Sequence, residues 1–118
     1  MESPITAKAA LLQALLRGPG FGLDLITRVK DLTLGTVELG QGSVYPALRD
    51  LERGGLLESH EEPPSERGGR PRRYFKLTNA GEKAALEQRR VVLSIFGAPD
   101  YMVPERAQKS PQPRRRAR

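Results

Sequence analysis

Gln41, Ser43, Tyr45 and Arg49 bring an amide, two hydroxyls and a guanidinium together in close succession. Such groups donate to phosphate oxygens and read base edges, since Arg pairs bidentately with guanine and Gln with adenine. The outward face of an ordinary surface helix carries the same residue types, so they do not decide the matter alone. A second set of cations, Arg67, Arg70, Arg72, Arg73 and Lys76, contains no carboxylate, and directly before it Glu58, Glu61, Glu62 and Glu66 run without a Lys or Arg. Catalytic chemistry is poorly provided for. With one His and no Cys, neither a metal cluster nor a His-based nucleophile can be assembled in one chain. His60 reads as an exposed strand residue, and the glutamates read as a solvated edge with no apolar setting to perturb a pKa. The chain is therefore expected to be no enzyme, with no catalytic residue, metal site or cofactor.

The elements that must position these groups can be read from residues 42–57, GSVYPALRDLERGGLL. Val44, Leu48 and Leu51 fall at i, i+4 and i+7, the spacing of a buried helical stripe that leaves Tyr45, Arg49, Glu52 and Arg53 pointing elsewhere. Pro46 lacks an N–H, which sets the helix start within about one turn upstream, near residues 41–43. Gly54 and Gly55 supply left-handed dihedrals for its end, and Leu56-Leu57 opens a strand. Residues 56–59 and 74–77 flank the loop PPSERGGRP, too long for a two-residue hairpin. In the returning strand Phe75 and Leu77 alternate with Tyr74 and Lys76, as half-buried strands do. Arg67 and Arg70 then stand at the loop tip, while alternation sends some of Arg72, Arg73 and Lys76 to the opposite side.

These two blocks, YPALRDLERGGLL and GGRPRRYFKLTNAG, resemble the PadR family of bacterial winged-helix transcriptional regulators. The family joins Tyr-Pro at the head of its recognition helix to a Leu-x-x-Leu-x-x-x-Gly-Leu ending, and closes its wing in Arg-Arg-Tyr-Tyr-x-Leu-Thr-x-x-Gly. Tyr45-Pro46, Leu48, Leu51 and Gly55-Leu56 match the first block. Arg72, Arg73, Tyr74, Leu77, Thr78 and Gly81 match the second, and Phe75 stands where Tyr is common. The resemblance covers roughly residues 4–96. It implies a repressor of transcription that binds double-stranded DNA as a homodimer. It also implies that some members sense phenolic or drug-like aromatic effectors at the dimer interface, often opposite a Trp, and this chain has no Trp.

The flanking sequence fits one small domain. Residues 3–17 read as a first helix, with Ser3-Pro4 at its head and Ile5, Ala9, Leu12, Leu15 and Leu16 as its stripe. A second helix from about Gly22 shows Leu25, Ile26, Val29 and Leu32 on one face. GPGFG between them lacks the preceding strand and the Lys-Ser/Thr of a nucleotide loop. Residues 36–39 alternate between two glycines and suggest a short first strand that joins the wing sheet. Thr78 can cap a last helix that ends near Phe96, before Gly97 and Pro99. Its second half is apolar nearly all round, with Val91, Val92, Leu93, Ile95 and Phe96, and such a helix needs a partner. A homodimer through Leu86, Val92, Leu93 and Phe96 is expected, alongside the option that the helix folds back on the first.

The net charge of +6 is unevenly placed. Residues 104–118 carry six basic side chains against one acidic, whereas residues 1–103 carry 14 against 13 and are nearly neutral. The basic, Pro-rich tail is expected to lack structure, either gripping phosphates or acting only as a solubilising segment. With no Cys, no apolar run near the ~20 residues of a membrane helix and no signal peptide at Met1, the expected setting is the cytoplasm, away from any membrane. The expected fold class is mainly α with a small β wing. Residues 1–78 would form a winged helix-turn-helix that binds DNA through Gln41, Ser43, Tyr45, Arg49, Arg67, Arg70, Arg72 and Arg73. Residues 79–98 would form a C-terminal dimerisation helix, and residues 99–118 a flexible basic tail. Winged helices also serve as protein-interaction modules, and a nearly neutral body is compatible with that alternative.

Overall fold

The computed structural model describes residues 5–64 and 68–96, the last of these through its backbone alone. The elements run α1 (Ala7–Leu16), β1 (Gly20–Phe21), α2 (Gly22–Leu32), α3 (Gln41–Arg53), β2 (Leu57–Glu62), β3 (Arg72–Leu77) and α4 (Asn79–Phe96). This is the winged helix-turn-helix order, helix-dominated with one small antiparallel sheet. The strands lie in the order β1-β3-β2.

The first strand differs from the sequence expectation. Residues 36–39 form no strand, and β3 instead pairs with β1 through Gly20 opposite Phe75 and Phe21 opposite Tyr74. Thr33 explains the difference. Its Oγ1 accepts the Val37 N–H at 3.0 Å and donates to the Val29 carbonyl at 2.9 Å, so the α2–α3 connection is tied to the end of α2. Val37 is buried there, with its N–H already satisfied. Gly20 and Phe21, within the GPGFG stretch, supply the two-residue strand.

The helix ends follow their residue chemistry. Ser3 and Pro4 lie outside the described residues, and the cap of α1 is Thr6, whose Oγ1 accepts the Ala9 N–H at 3.1 Å. At the other end of α1 the Arg28 guanidinium, from α2, donates to the carbonyls of Ala14, Gly18 and Pro19. One side chain thus ties the end of α1 and the turn after it to α2, adding to the Arg17 N–H that the Ala14 carbonyl already accepts. Helix α3 closes in a Schellman motif: the Leu56 N–H bonds the Leu51 carbonyl, the Gly55 N–H bonds the Glu52 carbonyl, and Gly55 is left-handed at φ 83°. Pro46 sits deeper in α3 than its first turn and withdraws the N–H that would bond the Gly42 carbonyl. Thr78 caps α4 as expected, its Oγ1 accepting the Gly81 N–H at 3.0 Å and donating to the Gly55 carbonyl at 2.7 Å.

The chain divides into two units, Met1–Gln88 and Arg89–Arg118. The core of the first is built from Leu11 and Leu15 of α1, Leu25 and Val29 of α2, Val44, Leu48 and Leu51 of α3, Leu57, Phe75 and Ala85. No polar or charged residue is buried among the described residues. Each fully buried leucine contributes on the order of 1.5–3 kcal/mol, and those of α1, α2 and α3 fix the angle at which α3 is presented. The first half of α4 joins this core through Ala85, and Gln13 donates to both the Ala85 carbonyl and Gln88 Oε1 at 2.8 Å. In the second unit the side chains of Val91, Val92, Leu93 and Ile95 are exposed, Ile95 at 69 %. Leu86, in the first unit, is 48 % exposed. The Phe96 side chain and residues 97–118, including the basic tail, lie outside the described residues.

Candidate nucleic-acid interface

Helix α3 buries Val44, Ala47, Leu48 and Leu51 and exposes Gln41, Gly42, Ser43, Pro46, Arg49, Asp50 and Arg53. At 100° per residue, Gly42, Pro46, Arg49 and Arg53 fall on one outward line, with Gln41 and Tyr45 on one flank and Ser43 and Asp50 on the other. The centre of the outward face is therefore nearly free of bulk over its first turns. A duplex could approach that surface closely, with Arg49 as the first long side chain it meets. Arg53 is held by Asp50 at 3.3 Å, and Asp50 also takes Lys8 of α1 at 3.4 Å.

Tyr45 departs from the fully outward orientation read from the sequence. It is half-buried, and its ring lies against the backbone of Gly22, the first residue of α2. A cavity of about 200 Å³ is lined by Tyr45, Phe21, Gly22, Asp24, Arg72 and Arg73 among others, so the head of α3 and the base of the wing share one hollow. The base of the hairpin and the head of the third helix meet there.

The hairpin's charges are arranged by its register. Glu61 stands opposite Arg73 and Glu58 opposite Lys76, and both pairs form ion pairs, at 3.8 Å and 3.5 Å. Arg73 also donates to Ser59 Oγ at 3.1 Å, and Ser59 donates to Glu52 of α3 at 2.8 Å. The glutamates are therefore not a merely solvated edge: Glu58 and Glu61 offset the cations of β3. Arg73 and Lys76 carry less free charge than the sequence block suggests. Arg72 opposes Glu62 in register, and its guanidinium lies 4.1 Å above the Phe21 ring, a cation–π contact. Phe21 in turn meets Tyr74 edge to face at 4.9 Å. His60 is exposed, as read, and its Nε2 lies 2.6 Å from Glu62.

Arg49 and Arg70 are exposed and have no ion pair among the described residues. Arg67 lies outside the described residues. The structure thus brings Tyr45, Arg72 and Arg73 around one cavity and leaves Gln41, Ser43, Arg49 and Arg70 on the surface. Sequence reasoning missed Phe21 and Gly22, for which a glycine-rich turn gave no signal. It also missed the cross-strand pairing, although the sign inversion at matched distances from the loop carries that signal. Among the described residues no cluster of His, Asp or Glu could hold a metal ion, and no helix is long and apolar enough to cross a membrane.

The family model of the transcriptional regulator PadR-like family matches residues 11–87, which contain the whole of this site. No curated protein matches the chain. Among solved structures it is similar to a PadR-like transcription factor from Bacteroides fragilis, at 23 % identity over 81 % of this chain and 88 % of that one, TM-score 0.65. A PadR family transcription regulator from Clostridium difficile R20291 is similar at 21 % identity over 80 % and 95 %, TM-score 0.66. At those identities the likeness concerns the fold. RosR of H. salinarum is 29 % identical over 80 % of this chain and 78 % of its own, TM-score 0.59.

Proposed function

The chain belongs to the PadR-like family of transcriptional regulators, and from that premise we propose that it binds double-stranded DNA sequence-specifically in the cytoplasm, as a homodimeric repressor on a roughly palindromic operator. The observation that carries this reading is the shared hollow of Tyr45, Arg72 and Arg73, beside an α3 surface on which Arg49 is exposed. A helix presented in this way lies in the major groove, with Arg49 toward base edges and Gln41 and Ser43 toward bases or phosphates at its head. Arg70, and Arg67 with it, would reach the adjacent backbone or minor groove from the wing. No catalytic step is part of this reading, and no residue is assigned to a small aromatic effector. An electrophoretic mobility shift with the DNA upstream of the chain's own coding sequence tests it. Specific retardation that survives unlabelled competitor is expected, and retardation abolished equally by any duplex would overturn it.

The dimer rests on the apolar side chains Leu86, Val92 and Leu93, all exposed in the single chain, with Phe96 as the fourth expected contact. Exposed apolar side chains of this kind call for a partner, and a C2 pair would set two copies of α3 about one helical turn of DNA apart. Light scattering should give the mass of two chains, and Leu93→Glu should give one. A single-chain mass for the unaltered protein at micromolar concentration removes the dimer.

One observation favours a protein-interaction module instead: Glu58 and Glu61 offset Lys76 and Arg73 and lower the positive potential of the wing. Absence of any retardation at low salt would decide for that reading.

A further inference from the structure

Gly22 is buried at the first position of α2, and its φ lies outside the left-handed region, so the backbone there does not require glycine. What requires it is the neighbour. A Cβ built on Gly22 would stand 2.5 Å from Tyr45 Oη and 2.6 Å from Cε1 and Cζ of the same ring, well inside van der Waals contact. All three atoms belong to the far end of a side chain that can rotate about χ1 and χ2, so a methyl group here would move the phenol rather than break the helix. Gly81 shows the opposite case: its Cβ would overlap the Leu56 carbonyl oxygen, which is backbone and fixed.

We propose that Gly22 is a positioning residue for DNA recognition: by lacking a side chain it lets the Tyr45 ring lie over the start of α2 and holds the phenol hydroxyl in the hollow beside Arg72 and Arg73. This rests on the reading of Tyr45 as a DNA contact. The hydroxyl is placed by two elements at once, since α3 carries the side chain and α2 sets where its end can lie. A phenol fixed in this way donates to a phosphate without first losing rotamer freedom, which is how preorganisation raises affinity. The Asp24 carboxylate at the same hollow accepts the Phe21 N–H at 3.1 Å. That bond caps the start of α2 at the residue before Gly22.

The test is a double-mutant cycle on the full chain, read by mobility shift against the duplex from upstream of its coding sequence, with melting followed in parallel. Gly22→Ala should weaken binding by about tenfold, the worth of one hydrogen bond to a charged acceptor. Its melting midpoint should stay near that of the unaltered protein, because alanine suits a helix at least as well. In a Tyr45→Ala background the same Gly22→Ala change should cost less than about twofold, since the ring it displaces is gone. If Tyr45→Ala weakens binding and Gly22→Ala does not, the positioning role is wrong while the DNA reading stands. If Gly22→Ala lowers the midpoint by more than about 5 °C, and Gly22→Ala/Tyr45→Ala recovers it, Gly22 is a packing residue and the inference fails. If the unaltered chain does not retard the duplex, the DNA reading falls and this inference with it.

Discussion

Arg49 of α3 and Arg70 of the wing loop differ from the arginines of β3 in what their charge already does. Arg49 and Arg70 are exposed with no ion pair among the described residues, whereas Arg73 holds Glu61 at 3.8 Å and Ser59 at 3.1 Å. Arg72 lies against an aromatic ring. A cation already paired with a carboxylate must give up part of that contact before it can neutralise a phosphate, so proximity to DNA does not make two arginines equivalent. In this chain the β3 arginines join strands to one another and to α3. Arg49 and Arg70 make no such contact among the described residues.

Arg49→Ala tests the strong end of that contrast. As the first long side chain on the outward line of α3, Arg49 should account for about 1–3 kcal/mol of discrimination at one base position, roughly five- to 150-fold in affinity for the specific site. Competition assays on single-base operator variants would show the loss concentrated at that position. A uniform loss across all variants would make Arg49 a phosphate contact instead. Arg70→Ala should do less and differently: affinity falls severalfold on every sequence, and the slope of log K against log salt shrinks by about 0.9. An unchanged slope would place Arg70 off the DNA.

Much of this arrangement was legible in the sequence, and the parts that were not have definite physical causes. The i, i+4, i+7 stripe of Val44, Leu48 and Leu51 locates α3 because only a helix buries that spacing, and the Gly54-Gly55 pair marks its end because the Schellman geometry needs a left-handed residue at Gly55. Thr78 announces α4 through its capping chemistry. The first strand was misplaced since alternation at residues 36–39 outweighed a two-residue strand that has no period to detect. Strand pairing at Gly20 and Phe21 is fixed by tertiary contact with β3, not by local preference. For the site, residue types identified the groups that could meet DNA. Which cations were already engaged depended on register, which the sign inversion hints at but the loop length leaves open. The half-buried pose of Tyr45 depends on Gly22, in another element, and no spacing rule reaches across that gap.

The weakest effect expected is also the one that probes the contrast most directly. Glu61→Gln keeps the size of the side chain and removes its charge, so Arg73 loses its ion pair but keeps Ser59. Both partners are about half exposed or more, and such a pair contributes roughly 0–1 kcal/mol, so the melting midpoint should fall by no more than a few degrees. DNA affinity at low salt should rise, by about two- to threefold, because one more cation near the hollow is released from its carboxylate. The salt slope should steepen with it. Were Arg73 already bound to phosphate in the unaltered protein, Glu61→Gln would leave the slope unchanged and Arg73→Ala would flatten it as much as Arg70→Ala does. The division between the two sets of arginines would then be a feature of the free chain alone.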